Sequence, residues 1–218
     1  MKLWRLSEPF DYRFARAGRV GGTWQEGEYK DRTRPLIIEW EPDSDVVGDF
    51  TWPGLNTDVV ITDGVGTPLK DAGVAGFELR PVEMKENSEA TKRRSKKPKV
   101  KLPYSGPKLW DFWVTAWTNL DAARSSVDQV ERSDGSVSYK VRGVQREERT
   151  WEPQHAEFVK TMRPRSDGEG IFVPAIRGIL RVEEIPAWVL CTDDVKRLIE
   201  GHGFTNVAFM EVGDVLDG

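Results

Sequence analysis

Residues 59–82, "VVITDGVGTPLKDAGVAGFELRPV", and residues 189–212, "VLCTDDVKRLIEGHGFTNVAFMEV", align without a gap at an offset of 130. Six pairs are identical: Val59/Val189, Thr62/Thr192, Asp63/Asp193, Val65/Val195, Gly73/Gly203 and Val82/Val212. Apolar character is kept at Val60/Leu190, Ile61/Cys191, Leu69/Ile199, Val74/Phe204, Phe77/Val207 and Leu79/Phe209. A chain that repeats such a unit must build it twice and bury two similar faces. The apolar runs Val59–Ile61 and Val189–Cys191 read as short buried strands. The Thr-Asp pairs that follow offer side-chain oxygens to the free N–H groups of a helix start, with Asp63 and Asp193 as the expected N-caps. Val195, Leu198 and Ile199 fall on one helical face. Gly73 and Gly203 suit the left-handed residue that ends a helix. Gly76 and Asn206 also tolerate positive φ, and alternating strands follow, carrying Phe77/Leu79 and Val207/Phe209. The unit is strand, short helix, strand.

Around these units the pattern is mainly β. "PLIIEW" and "GIFVPAI" read as strands, and "VERSDGSVSYKVRGV" as a hairpin turning at Asp134-Gly135. In "LWDFWVTAW" the β-branched and aromatic bias favours a strand, with its tryptophans in a core and a turn following at "NLDAARS". The expected fold class is α+β: a mostly antiparallel or mixed sheet with a few short helices and two repeated strand–helix–strand units. Residues 1–84 form an N-terminal part, 85–108 a basic flexible loop and 109–218 a C-terminal part. The parts make one compact domain or two tightly packed halves.

The charge is uneven. Lys92 to Lys101, "KRRSKKPKVK", holds seven basic residues and no acid; net charge is −4, and setting those seven aside leaves −11 on the rest. A solvated loop is the plainest account of the strip; a nucleic-acid patch or an acidic-partner dock are the others. The strip has no interleaved aromatics and the body is acidic, which argues against nucleic acid. The single cysteine allows no internal disulfide and fits a reducing compartment. No apolar run reaches the roughly 20 residues that span a bilayer, and no secretory signal opens the chain, so the expected location is cytoplasmic, with no membrane partner.

Chemistry is hard to assemble. The stretch "TDDVKRLIEGHGF" sets Asp193, Asp194 and His202 near Cys191, but only Asp193 recurs in the other copy, and no C-x-x-C or H-x-x-x-H spacing supports a metal. The glycines of "GRVGGTWQEGEYKD" neither follow a strand nor open a helix, so a phosphate-cradling loop is not expected. With only His155 and His202, and no G-x-S-x-G, no nucleophile–base pair is evident. No catalytic residue, metal ligand or cofactor is therefore assigned. The alternatives left open are a small enzyme with a carboxylate-based site, and a nucleic-acid-binding regulator using residues 92–101.

Three stretches together resemble a bacterial family of immunity proteins abundant in myxobacteria: "KLWDFWVTAWTNLDAARSSV", "GIFVPAI" and "WVLCTDDVKRLIEGHGFTNVAFMEV". The closing element and its earlier copy are also similar to the relatives named for a double CXXCG motif, although this chain has no such cysteine pair. The resemblance covers mainly residues 102–212, and residues 50–84 join it through the repeat. It implies a non-catalytic protein that occludes a cognate toxin effector by direct contact, and it leaves homodimerisation open. An acidic body suits a basic partner. The expected partner-binding residues are Asp43, Asp45, Asp49, Lys92, Arg93, Arg94, Lys96, Lys97, Glu147 and Glu148.

Overall fold

The computed structural model describes the chain except at residues 10, 12, 21–29, 31, 54–57, 87–96, 132, 134, 136, 153–156 and 218, and by backbone alone at 147, 149–152 and 157–160. The fold is α+β, with two six-stranded mixed sheets, each carrying one short helix. The first sheet is built from β2 (Ala17–Arg19), β3 (Leu36–Trp40), β4 (Phe50–Thr51), β5 (Val60–Thr62), β6 (Phe77–Lys85) and β7 (Leu109–Val114), in the order β2-β3-β6-β7-β5-β4. Helix α1 (Asp63–Asp71) joins β5 to β6. The second sheet contains β1 (Lys2–Ser7), β8 (Trp117–Thr118), β13 (Ile171–Val173), β14 (Ile179–Val182), β15 (Leu190–Thr192) and β16 (Ala208–Val215), in the order β13-β16-β1-β15-β14-β8. Helix α2 (Asp193–Gly201) joins β15 to β16. Two separate hairpins, β9 (Val127–Glu131) with β10 (Val137–Val141) and β11 (Arg146–Glu152) with β12 (Glu157–Arg163), lie between β8 and β13.

The repeat is a structural one. In each sheet the two strands of the unit do not pair with each other but flank an antiparallel strand: β7 in the first, β1 in the second. Registers match as well. Ile61 opposes Trp110 and Cys191 opposes Trp4, so Lys108-Leu109-Trp110 and Lys2-Leu3-Trp4 are the same tripeptide in equivalent places. Beyond the unit, β3 runs parallel to β6 and β13 parallel to β16, while β4 and β14 pair antiparallel with β5 and β15. The strand that completes the second half thus comes from the start of the chain, and the strand that completes the first half follows its own unit.

The helix starts differ from expectation by one residue. Thr62 and Thr192 are the N-caps, in extended backbone with no side-chain capping bond, and Asp63 and Asp193 are the first helical residues. There their carboxylates face the positive end of the helix dipole instead of capping a particular N–H. The C-terminal signals hold: Gly73 and Gly203 adopt φ of 70° and 67°, and Gly76 and Asn206 adopt 90° and 58°. Val65 and Leu69, like Val195 and Ile199, are buried and face the same core.

That core belongs to both halves. Leu6, Phe50, Ile61, Leu69 and Phe112 pack with Ile179, Val189, Cys191, Val195 and Ile199 in one cluster. Fully burying a side chain of this size contributes about 1.5–3 kcal/mol. Two cross-half hydrogen bonds at equivalent places close the seam: Phe50 N–H to Thr205 O (3.3 Å) and Ile179 N–H to Ala75 O (3.0 Å). A second cluster lies within the second half around Leu3, Leu180 and Val212, and a third in the first half around Leu36, Ile38 and Trp40.

The described part of the basic connection packs on the first half. From residue 99 to 104, Lys99, Lys101 and Pro103 are exposed, whereas Val100, Leu102 and Tyr104 alternate inward onto the third cluster. Period-two burial makes this an extended strap, held by apolar residues that the charge count conceals.

Candidate functional site

The expected partner-binding residues fall in three places. Asp43 pairs with Lys97 at 2.7 Å, so the acidic loop after β3 and the middle of the basic strip meet. Asp45 is exposed beside them and lines a cleft with Lys99 and Lys101. Lys92, Arg93, Arg94 and Lys96 lie outside the described residues. Asp49 sits on the seam, where its carboxylate accepts from Thr205 N–H (2.8 Å) and Oγ1 (2.7 Å) and its own N–H donates to Thr205 Oγ1 (2.9 Å). Glu147 and Glu148 are on β11; a hydrogen bond from Arg146 at 2.8 Å, with Arg163 nearby, holds the Glu148 carboxyl below the usual range.

The residues of "TDDVKRLIEGHGF" have local occupations. Asp193 accepts from Trp4 Nε1 (2.6 Å), tying α2 to β1, and Asp194 accepts from Thr192 Oγ1. His202 is the C-cap and stacks on Phe204 with ring centroids 5.1 Å apart. Cys191 is fully buried, which pushes its thiol up and keeps it from the reactive thiolate form. His155 lies outside the described residues. Among the described residues no three His, Cys, Asp or Glu side chains group as a metal site, and no helix is long and apolar enough to cross a membrane.

A charged cluster that the sequence reading did not single out lies inside the first half. Arg32, Asp58, Asp111 and Arg181 are each 5% exposed or less. Arg32 donates through Nη2 to Asp111, and its Nη1 lies 3.9 Å from Asp58 Oδ1; Arg19 Nε lies 3.8 Å from Asp58 Oδ2. The guanidiniums of Arg32 and Arg80 stand 5.0 and 4.2 Å from the Trp113 ring centre, and Arg80 Nη1 donates to the Arg32 carbonyl. Arg181 arrives from β14 of the other sheet and donates to Pro186 O. Arg32 Nε and Asp58 Oδ2 have no hydrogen-bond partner among the described residues. In the second half the positions of Asp111 and Asp58 hold Arg5 and Trp188, which stack at 4.7 Å. One half thus keeps a cation–π pair where the other keeps a charge network. Its one sequence signal is Asp111, a lone acid inside the apolar run "LWDFWV".

Burial pushes Asp58 up to about 7 and Asp111 up to about 6, only partly offset by Arg32 and the other guanidiniums. The carboxylates are sealed from solvent, so the cluster offers a substrate no approach; it joins strands of both sheets and titrates. A carboxyl group whose folded-state pKa is raised holds its proton more tightly when folded. Its contribution to stability is complete below about pH 4 and is lost as the pH rises through about 7. Folding free energy should therefore fall between these limits, by at most about 1.4 kcal/mol per pH unit for one proton. In Asp58→Asn the fall between pH 6 and 7 should flatten. Urea titrations at half-unit pH steps measure this, and an unchanged slope would assign the proton to another group.

No protein-family model matches the chain, and no curated protein matches it.

Proposed function

We propose that this protein is a non-catalytic immunity protein that neutralises a cognate bacterial toxin by covering it. The observation that supports this best is the pair of hairpins set outside the two pseudosymmetric sheets. No such hairpin occurs among the described residues of the first half. Directly opposed residues share a face in an antiparallel pair. Val127 and Val141, at the base of the first hairpin, pack on the second core cluster, and Tyr139 and Val137 continue that face outward, exposed at 36% and 44%. Val130 on the reverse face and Met162 on β12 are exposed as well. An apolar ridge rimmed by charge is the usual composition of a protein interface, and two-stranded hairpins also offer strand edges to a partner. The acidic body would speed encounter with a basic toxin. The reading places the protein in the cytoplasm beside its target.

Co-expression with toxins encoded next to this gene tests the reading: one should be lethal alone and tolerated with this chain. Absence of any such pair would end the proposal. If the pair exists, replacing Val137 by Asp together with Tyr139 by Ala should weaken the complex by about tenfold or more while the melting temperature changes little. Unaltered affinity would move the interface off the hairpin.

A further inference from the structure

We infer that the cleft between the basic strap and the ends of β3 and β6 is a binding site for a small organic anion, a carboxylate or phosphate carried on an apolar group. This is independent of the toxin-binding reading and concerns a different face. The cleft is lined by Trp40, Lys85, Glu86, Lys99, Val100, Lys101 and Leu102. It is the period-two burial of the strap that makes it: Val100 and Leu102 turn down onto the third core cluster, which leaves Lys99 and Lys101 raised on the rim opposite Lys85. None of these three lysines forms an ion pair among the described residues, whereas the neighbouring Lys97 is paired with Asp43. Three lysines line the cleft with a single carboxylate, Glu86, so the field in the cleft favours an anion.

The floor adds a second, independent observation. Trp40 is 3% exposed, and its indole Nε1–H has no hydrogen-bond partner among the described residues. Tyr104, whose ring lies 6.3 Å from that of Trp40, lines the adjoining cleft that shares Lys99, Val100 and Lys101, and its buried hydroxyl is also without a partner among the described residues. A buried donor left unpaired costs about 1–3 kcal/mol, so the Trp40 indole in the floor marks a place where an acceptor belongs. Lysines are point charges without the fixed fork of arginine, which suits an oxyanion held by charge. The floor of Val100, Leu102 and the Trp40 indole selects a ligand with an apolar body over a bare ion. A nucleic-acid strand fits less well, because it needs open aromatic faces to stack on and Trp40 is covered.

The test uses the full chain and phenyl phosphate as probe, read by the indole N–H resonance of Trp40 in two-dimensional NMR. Phenyl phosphate should shift that resonance saturably, and inorganic phosphate should bind about tenfold more weakly for want of the apolar contact. Benzyl alcohol should leave it unmoved. Lys99→Gln with Lys101→Gln should weaken phenyl phosphate by at least about tenfold, and Lys140→Gln on the distant hairpin should have no effect. The exposed lysines can be changed without touching Val100 or Leu102, and an unchanged spectrum elsewhere shows that the fold is retained. No shift at millimolar probe, or equal binding to the double variant, would overturn the inference. Tighter, steeply salt-dependent binding of a single-stranded oligonucleotide through the same lysines would replace it with a nucleic-acid reading.

Discussion

Replacing Arg32 by methionine should destabilise the protein by about 3–5 kcal/mol at pH 8, because it leaves the carboxylates of Asp58 and Asp111 buried without their central counter-charge. Methionine keeps most of the aliphatic length, so the loss measures charge more than volume. Arg32 serves both acids and stands over Trp113, and Arg19 lies 3.8 Å from Asp58. At pH 5 the loss should be much smaller, since both carboxyls, raised to about 7 and about 6, are then largely protonated. Denaturant titrations of both proteins at the two pH values measure this. Equal losses at pH 5 and pH 8 would show that Arg32 acts through packing and not through charge.

Gly76→Ala should be nearly as damaging, and Gly73→Ala should not. Both glycines have positive φ, so each substitution carries the backbone cost of about 1–2 kcal/mol for a side chain in that region. At Gly73 nothing lies within 4 Å of the added methyl group. At Gly76 it would stand 1.9 Å from the carbonyl oxygen of Ile179, and that contact must open. Opening it pulls apart the seam closed by the Ile179 N–H to Ala75 O hydrogen bond. We expect at least about 3 kcal/mol for Gly76→Ala, so a marginal domain would scarcely fold. Thermal melts of the two variants side by side isolate the seam: similar melting temperatures would mean that the halves adjust independently.

The duplicated unit was legible because capping, helix-ending glycine and apolar spacing are local signals repeated at one offset. Its partner strand was not. Lys2-Leu3-Trp4 and Lys108-Leu109-Trp110 are 106 residues apart, against 130 for the units they complete, so no single alignment contains both. The hairpin at Gly135 followed from turn chemistry, whereas β propensity marked one strand across "LWDFWVTAW" and missed its break after Val114, where the chain passes to β8 of the other sheet. By contrast, "REERTWE" carries no strand pattern of its own and forms β11 through its pairing with β12. The Arg32–Asp58–Asp111 cluster joins residues 26 to 79 positions apart, and only Asp111 breaks its local pattern. The strap's path was hidden for a related reason. Its lysines dominated the composition, while Val100, Leu102 and Tyr104 decide its path.

Strand β1 has a consequence for how the molecule is made. Its neighbours are β15 and β16, and Lys2 lies opposite Asp214, so β1 has no lasting partner until about 190 to 210 further residues have been made. At about 5–20 residues per second that is a wait of roughly 10–40 seconds. The first sheet is under no such delay, since β2 to β7 all lie before residue 115. Synthesis therefore should yield first-half strands able to pair while the core face they share with the second half stays open, beside a dangling apolar strand, "KLWRL", that a chaperone or that open face must shield until its own place exists.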